Sequence, residues 1–189
     1  MNEKVLKKII PAALSAAFVL GTLPSMAACA APAAQVQAKT WDFSQSLENW
    51  KYAGKWAYKG KPTVTYAKNV GKGALQLNVD YTKTAEEGWS EVKLTDGSIT
   101  EKTPLDLTGY NMVTFDFYYN PANKSKGAFK TKLYMKKPDG SDISACPDID
   151  LSKAQDVGNG LKKVTVRVPF QAASVKIIDF EISIVGSST

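Results

Sequence analysis

The chain contains no histidine, and this absence removes several kinds of chemistry at once. Hydrolases of the serine–histidine or cysteine–histidine type need an imidazole as their general base, and histidine is also the commonest zinc and copper ligand. Cysteine is scarce as well, since only Cys29 and Cys146 are present. Cys146 is the single thiol of the region that we expect to fold, so no disulfide framework is expected there.

A glycosidase needs only two carboxyl groups, so carboxylate pairs are the remaining route to hydrolysis. Glu86 and Glu87 are adjacent in a polar loop, and Asp148 and Asp150 are spaced to share one strand face. Neither pair lies in a context that would raise the pKa of one member, as a general acid requires. The sequence therefore predicts that this chain is not itself an enzyme.

Arginine is nearly absent too, because Arg167 is the only one in a chain of formal net charge +6. The lysines that supply this charge are scattered over every segment. Scattered lysines are typical of a solvated surface, whereas nucleic-acid binding uses clustered Lys and Arg. We therefore expect no nucleic-acid partner.

No apolar run is long and uninterrupted enough for a transmembrane helix, but the first residues have the pattern of an export signal. A lysine-rich start precedes a mostly apolar stretch over residues 9–23, and small residues follow at 26–29. The pattern predicts a signal peptide over residues 1–28. The protein is then expected to be bacterial and extracytoplasmic, either secreted or held at the cell surface.

Two kinds of cleavage are compatible with the Met-Ala-Ala-Cys run at residues 26–29. The run resembles a bacterial lipobox, and cleavage there would leave Cys29 as a lipidated N-terminus that anchors a surface lipoprotein. Cleavage by signal peptidase at a neighbouring alanine would instead release a soluble protein. Residues 29–38 form an uncharged Ala/Pro/Gln tether, and residues 39–189 are long enough for one folded domain.

Alternating segments dominate this folded region. Apolar residues occupy every second position at 75–81, 113–119, 129–135, 164–168 and 178–184. This period of two is typical of half-buried strands, and no helical period appears outside the leader. Turns rich in Gly, Pro and Asn separate the segments. The pattern predicts an all-β fold, an antiparallel β-sandwich of the jelly-roll, galactose-binding-domain-like kind.

One strand carries a tryptophan on its charged face. Val92 and Leu94 alternate on the apolar face of this strand, and Trp89, Glu91 and Lys93 share the other face. An indole beside a carboxylate and an amine can stack on a sugar ring and bind its hydroxyl groups. A Trp covered by a neighbouring loop would show the same pattern, so the segment alone leaves both interpretations open.

The other aromatic residues divide between core and surface. Trp41 and Trp50 flank apolar residues, and we expect them in the core. Trp56 lies in a segment bounded by glycine and lysine, where exposure is expected, and Tyr134 shares a polar strand face with Lys132. Trp56 and Tyr134 therefore join the candidates for a sugar-binding surface.

Several runs match one known family when they are taken together. They are Trp-Asp-Phe at 41–43, Leu-Glu-Asn-Trp at 47–50, Ala-Gly-Lys-Trp at 53–56, the run from 70 to 79, and Gly-Trp-Ser-Glu-Val at 88–92. They resemble the mannan-binding carbohydrate-binding modules of family 27, which are β-sandwiches attached to bacterial β-mannanases. The resemblance extends over about residues 39–185.

The resemblance implies a set of site residues. It places binding tryptophans at Trp56 and Trp89 with Glu91 as a polar partner, and we expect Lys132 or Tyr134 to add hydrogen bonds. It also implies a structural calcium ion, for which the sequence offers Asp42 alone.

Two departures from the family pattern follow. A further binding Trp after the Tyr134 strand has no counterpart, and the final strand expected after residues 182–185 is missing. Either the sheet is finished differently, or the chain is the front part of a longer protein, which we favour.

The expected function is therefore non-catalytic binding of β-1,4-mannan or mannooligosaccharides. Such binding would hold a linked or associated mannanase catalytic domain on its polysaccharide and raise its effective concentration there. Two alternatives stay open. The chain can be the N-terminal fragment of a β-mannanase, or a surface lipoprotein that binds another protein through its aromatic face.

Overall fold

The protein is built almost wholly from β-strands. The computed structural model describes residues 11–20, 38–81, 88–122, 127–171 and 175–187, the first of these ranges as backbone only. The strands are β1 Pro11–Leu20, β2 Thr40–Trp41, β3 Trp50–Trp56, β4 Thr63–Ala67, β5 Ala74–Asn78, β6 Trp89–Asp96, β7 Leu105–Asp106, β8 Met112–Tyr119, β9 Phe129–Lys136, β10 Asp142–Ala145, β11 Gln155–Asp156, β12 Lys162–Pro169, β13 Lys176–Ile177 and β14 Asp179–Ser187. A 3₁₀ turn spans Leu151–Lys153. Within the described ranges, no helix has the length and apolar character of a membrane span.

Two large sheets carry the domain, and β7 and β13 form a separate antiparallel pair among the described residues. In the described residues, one has the strand order β11-β12-β8-β1-β5-β4, with β2 also paired to β1. The other is five-stranded, in the order β10-β9-β14-β6-β3. Pairing between neighbouring strands is antiparallel throughout both sheets. The expected antiparallel β-sandwich is confirmed, and the alternating segments of the sequence correspond to β5, β8, β9, β12 and β14.

The core lies between the two sheets. Phe115 and Phe117 of β8 and Phe180 of β14 are almost completely buried. The rings of Phe117 and Phe129 meet edge to face with centroids 5.5 Å apart, which joins the larger sheet to β9 of the smaller one. Each such ring contributes about 1.5–3 kcal/mol on burial, so these contacts are a main source of the sandwich's stability.

Trp41 and Trp50 close one end of the core, as their apolar neighbours predict. Both are buried, and the Trp41 ring stacks on Phe180 with centroids 5.4 Å apart. The Trp41 Nε1–H donates to Asp96 Oδ2 at 2.8 Å. Asp96 is fully buried, and its other carboxylate oxygen accepts from the backbone N–H and the hydroxyl of Ser98. These hydrogen bonds allow a carboxylate to lie at the end of an apolar core.

A glycine on β14 makes room for a tyrosine. A Cβ at Gly186 would lie 2.5 Å from ring atoms of Tyr81, which is closer than side chains tolerate. The Tyr81 hydroxyl donates to the Ile184 carbonyl at 2.9 Å. Tyr81 therefore fixes the end of β14 beside Ser90, the register partner of Gly186 on β6.

The central position of the larger sheet is held by Pro11–Leu20, which belongs to the predicted signal peptide. Leu14 illustrates the pairing, since it is opposite Leu75 of β5 on one side and Phe117 of β8 on the other. Because β5 and β8 are both antiparallel to β1, they run parallel to each other with one strand between them. Cleavage after residue 28 stays a prediction, and Cys29 lies outside the described residues.

Candidate functional site

The sequence-predicted binding residues lie on the outer face of the five-stranded sheet. On β6, Val92 and Leu94 are fully buried in the core, as the alternation predicts. Trp89, Glu91 and Lys93 extend from the opposite face of the same strand. The two faces of β6 are thus divided as the sequence indicated.

Strand register brings residues from four strands into rows across this face. The first row joins Trp56 of β3, Glu91 of β6, Val185 of β14 and Lys130 of β9. The second row joins Lys93, Ser183 and Lys132, and the third joins Thr95, Glu181 and Tyr134. Trp89 lies one step before the first row, opposite Ser187. The fold therefore gathers all five predicted binding residues on one surface, although they come from distant parts of the sequence.

Trp56 offers the most open ring of this surface. It ends the edge strand β3, and the residue is 49% exposed. Gly54, two residues earlier, has no atom within 4 Å of the point where a Cβ would lie. The surface beside the indole is consequently unobstructed on the β3 side, which suits a flat ligand that stacks on the ring.

Trp89 is half-buried and carries a cation over its ring. The Nζ of Lys130 lies 5.1 Å from the ring centroid. Asp148 forms an ion pair with this lysine, with Oδ1 3.4 Å from Nζ. Ammonium groups over an indole are attracted by the ring quadrupole, so Lys130 restricts how the Trp89 ring is oriented and presented.

Glu91 is buried at 2% exposure and forms an ion pair across β14. Its Oε2 lies 3.3 Å from the Nζ of Lys132, while its Oε1 has no hydrogen-bond partner among the described residues. Burial by itself would lower the pKa of Lys132, but Tyr134 and Glu91 raise it above its ordinary value, so the lysine stays charged. A ligand reaches Glu91 only when a neighbouring side chain moves.

A second cation–ring contact lies further along the face. The Nζ of Lys93 is 4.4 Å from the Tyr134 ring centroid and 3.3 Å from Glu181 Oε2. Burial would lower the pKa of Lys93, but Glu181 raises it overall. The pKa of Glu181 is also raised, because burial outweighs the favourable charge of Lys93. Sequence reasoning noted Lys93 as the amine beside Trp89 and Glu91, but it left Lys130 and Glu181 out of the binding residues, although the period of two places both on this face.

Asp42, the predicted calcium ligand, lies apart from this face. Its Oδ1 accepts from the backbone N–H of Ser44 at 2.8 Å, and hydrogen bonds from Ser44 lower its pKa. Glu48 accepts from the backbone N–H of Phe43, and burial raises the pKa of Glu48. Both carboxyl groups line a shallow groove together with Thr40, Ser44 and Gln45.

Of the two carboxylate pairs considered for hydrolysis, the one that the structure describes, Asp148 and Asp150, lacks the features of an acid–base pair. Asp148 is exposed and pairs with Lys130. The pKa of Asp150 is lowered by hydrogen bonds from Ser152 and Lys153, whereas a general acid needs a raised one. Glu86 and Glu87 lie outside the described residues.

Comparisons with known proteins bear on this surface. The family model "Carbohydrate binding module 27" matches residues 30–188 of the chain. Among curated proteins, none matches the chain significantly.

Two solved structures share the fold. TmCBM27, a carbohydrate-binding module described for specific mannan recognition, is 20% identical to this chain and superposes with a TM-score of 0.50. That alignment covers 81% of this chain and 88% of TmCBM27. CBM27-1 of Caldicellulosiruptor saccharolyticus, solved in complex with mannohexaose, is 21% identical with a TM-score of 0.55, covering 76% of this chain and 83% of that one.

Proposed function

Because the chain belongs to carbohydrate-binding module family 27, we propose that the outer face of its five-stranded sheet binds β-1,4-mannan and mannooligosaccharides. The family is one of non-catalytic modules, so this chain binds carbohydrate and is not an enzyme on its own. The observation that carries the proposal is an exposed indole, Trp56, in direct register with the buried carboxylate of Glu91. The mannohexaose complex of a module with the same fold supports the choice of ligand.

The aromatic and polar side chains of this face have different roles in sugar binding. Trp56 and the free side of Trp89 stack on the apolar C–H faces of pyranose rings. Lys132 and Tyr134 donate hydrogen bonds to hydroxyl groups. Glu91 holds Lys132 in place through Oε2, and its buried Oε1 accepts from a ligand hydroxyl once a neighbouring side chain moves aside. Stacking supplies most of the affinity, and the polar groups fix the orientation of the sugar.

The biological role follows from binding without catalysis. In our proposal the module is exported and holds a linked or associated mannanase catalytic domain at plant polysaccharide. Residues 1–28 would direct export, and Cys29 would carry a lipid if the lipobox is used. The tether at residues 29–38 then gives the module freedom to reach its ligand.

Isothermal titration with mannohexaose, followed in parallel by tryptophan fluorescence, tests this function. We expect saturable binding together with a fluorescence change, because Trp56 and Trp89 lie at the proposed contact surface. Cellohexaose, which differs in the configuration of one hydroxyl per sugar unit, is the matched control for mannan preference. A folded protein that responds to neither sugar would contradict the proposal and favour the protein-binding alternative.

A structural calcium ion at Asp42 is a further part of the proposal. The groove beside Asp42 and Glu48 offers only oxygen ligands, which suit calcium in kind. The described residues contain no cluster of three or more metal-binding acidic, histidine or cysteine side chains, so backbone and hydroxyl oxygens would have to complete the set. Sugar binding itself needs no cofactor. A thermal melting temperature that is unchanged between calcium and a chelator would contradict this calcium site.

A further inference from the structure

The middle strand of the outer face is covered by side chains from its two neighbours. β14 turns Ser183, Val185 and Ser187 outward, yet all three are buried. At these three positions a ligand on this face reaches β14 only if the side chains above them move apart. It meets the long side chains of β6 and β9 that lie across the strand.

Two contacts cross β14 and form this covering layer. The Glu91–Lys132 ion pair runs from β6 to β9 with an N–O distance of 3.3 Å. The contact of Lys93 with the Tyr134 ring runs between the same two strands, at 4.4 Å from the ring centroid. Lys132 also approaches the Tyr134 ring at 6.0 Å, so the two lysines lie on either side of one polar patch.

Two buried oxygens within this patch have no hydrogen-bond partner among the described residues. They are Glu91 Oε1 and Ser183 Oγ. Ser183 is 0% exposed, and its register partners are Lys93 on one side and Lys132 on the other. Buried polar atoms without partners are rare in folded proteins. A hydroxyl-bearing ligand that enters between the two lysines would supply the missing partners.

Lys93 is the best-placed donor for such a ligand. Its ammonium has three N–H groups, and its recorded contacts are the Glu181 carboxylate and the Tyr134 ring. Its side chain is 30% exposed, and its register partner on β3 is Gly54, which leaves the space beside it open. Lys93 can therefore donate to a ligand without giving up its ion pair.

We propose that Lys93, Lys132 and Tyr134 form a hydrogen-bonding subsite beside Trp56 and Trp89, the tryptophan platform, and that Lys93 determines how much affinity a longer oligosaccharide gains. The inference rests on the proposed sugar-binding function. Along β6, Lys93 lies four residues from Trp89, or about 13 Å at the rise of a strand, which is further than one pyranose ring extends. Trp89 and Lys93 thus contact different sugar units of one chain.

The charge balance of the subsite selects a neutral ligand. Lys93 is paired with Glu181, and Lys132 is paired with Glu91. The two ammonium groups are therefore neutralised by two carboxylates from the same face. Such a patch offers donors and acceptors without net charge, which suits an uncharged unit rich in hydroxyl groups rather than an acidic sugar.

The test compares ligand lengths in the full-length protein. Lys93→Met keeps the aliphatic part of the side chain and removes its donors. We expect isothermal titration to show about a tenfold loss of affinity for mannohexaose, as for a charge-assisted hydrogen bond. Affinity for mannotriose, which the tryptophan platform alone can hold, stays unchanged. The double variant Lys93→Met/Glu181→Gln should show the same loss, because the effect comes from the donor and not from an unpaired carboxylate.

Lys136→Met is the matched control. Lys136 lies on the same face, two residues beyond Tyr134 on β9, and is exposed. We expect it to leave both affinities unchanged. Equal affinity of Lys93→Met and wild type for mannohexaose would overturn the subsite, as would an equal loss for both ligand lengths. A wild-type protein that binds neither sugar would overturn the proposed function, and the subsite with it.

Discussion

Replacement of Trp56 by alanine tests the sugar platform with little risk to the fold. The residue is 49% exposed at the end of an edge strand, so its removal leaves no cavity in the core. A tryptophan side chain has up to about 250 Å² of surface, of which roughly 120 Å² is then open to solvent. A sugar can cover one side of the ring, about 60 Å², which at about 25 cal/mol per Å² corresponds to about 1.5 kcal/mol. We therefore expect Trp56→Ala to bind mannohexaose about tenfold more weakly.

The assay combines isothermal titration with thermal unfolding followed by circular dichroism. The melting temperature of Trp56→Ala should stay close to that of the wild type while its dissociation constant rises. Tyr52→Ala is the matched control, because Tyr52 lies on the same strand and is 41% exposed. Its register partner is the inward-facing Leu94, so it does not belong to the outer face, and its removal should not change affinity.

Two results would refute this reasoning. An unchanged dissociation constant for a folded Trp56→Ala protein would show that the sugar does not stack on this indole. A loss of affinity in Tyr52→Ala would place the binding surface on the other side of β3. Either result would show that the sugar-binding site is not the surface on which Trp56 and Glu91 lie.

Three further predictions concern stability. Gly186→Ala should lower the urea midpoint by an amount equivalent to about 1–3 kcal/mol, because the new Cβ would lie 2.5 Å from the Tyr81 ring, and an unchanged midpoint would contradict the packing described. Trp41→Phe removes the Nε1–H that lies 2.8 Å from the buried Asp96 carboxylate, so chemical unfolding should show a free energy of unfolding lower by about 1.5–3 kcal/mol. The same loss on making Trp41→Phe in an Asp96→Asn background would argue against this hydrogen bond. Burial raises the folded pKa of Glu181 above its ordinary value of 4.5, so the folded state binds this proton more tightly than the unfolded chain does. On acidification from pH 7 towards 4.5 the wild type should therefore gain stability relative to Glu181→Gln, and parallel melting temperatures over that range would contradict the burial effect.

The sequence could predict what depends on the period of a strand. Val92 and Leu94 face the core, and Trp89 and Glu91 share the outer face, because alternation is a local property of the backbone. The burial of Trp41 could be predicted in the same way, because its apolar neighbours in the sequence favour the core. The same local information places the main strands and hence the sandwich.

The sequence could not predict what depends on neighbours across the sheet. Glu91 was expected as an accessible polar partner, yet it is buried because Lys132, 41 positions away, lies across β14 to meet it. The same holds for two lysines of this face. Lys93 contacts the ring of Tyr134, Lys130 contacts the ring of Trp89, and in both pairs the ring comes from another strand. Such contacts are set by strand order, and a period of two contains no information on which strands become neighbours.

If Pro11–Leu20 belongs to a cleaved signal peptide, as the sequence predicts, its position at the centre of the larger sheet would link export to folding. β4 and β5 connect to the rest of that sheet through β1, since β5 and β8 run parallel with this strand between them. Removal of the leader would divide the sheet into a β4-β5 pair and a β8-β12-β11 unit, each with an open edge that can template another strand. The processed protein would then accept a new strand between β5 and β8, the position that the leader strand fills before cleavage. An extended segment that runs antiparallel to both edges could close the gap, so the source of that segment would determine when the processed module becomes stable.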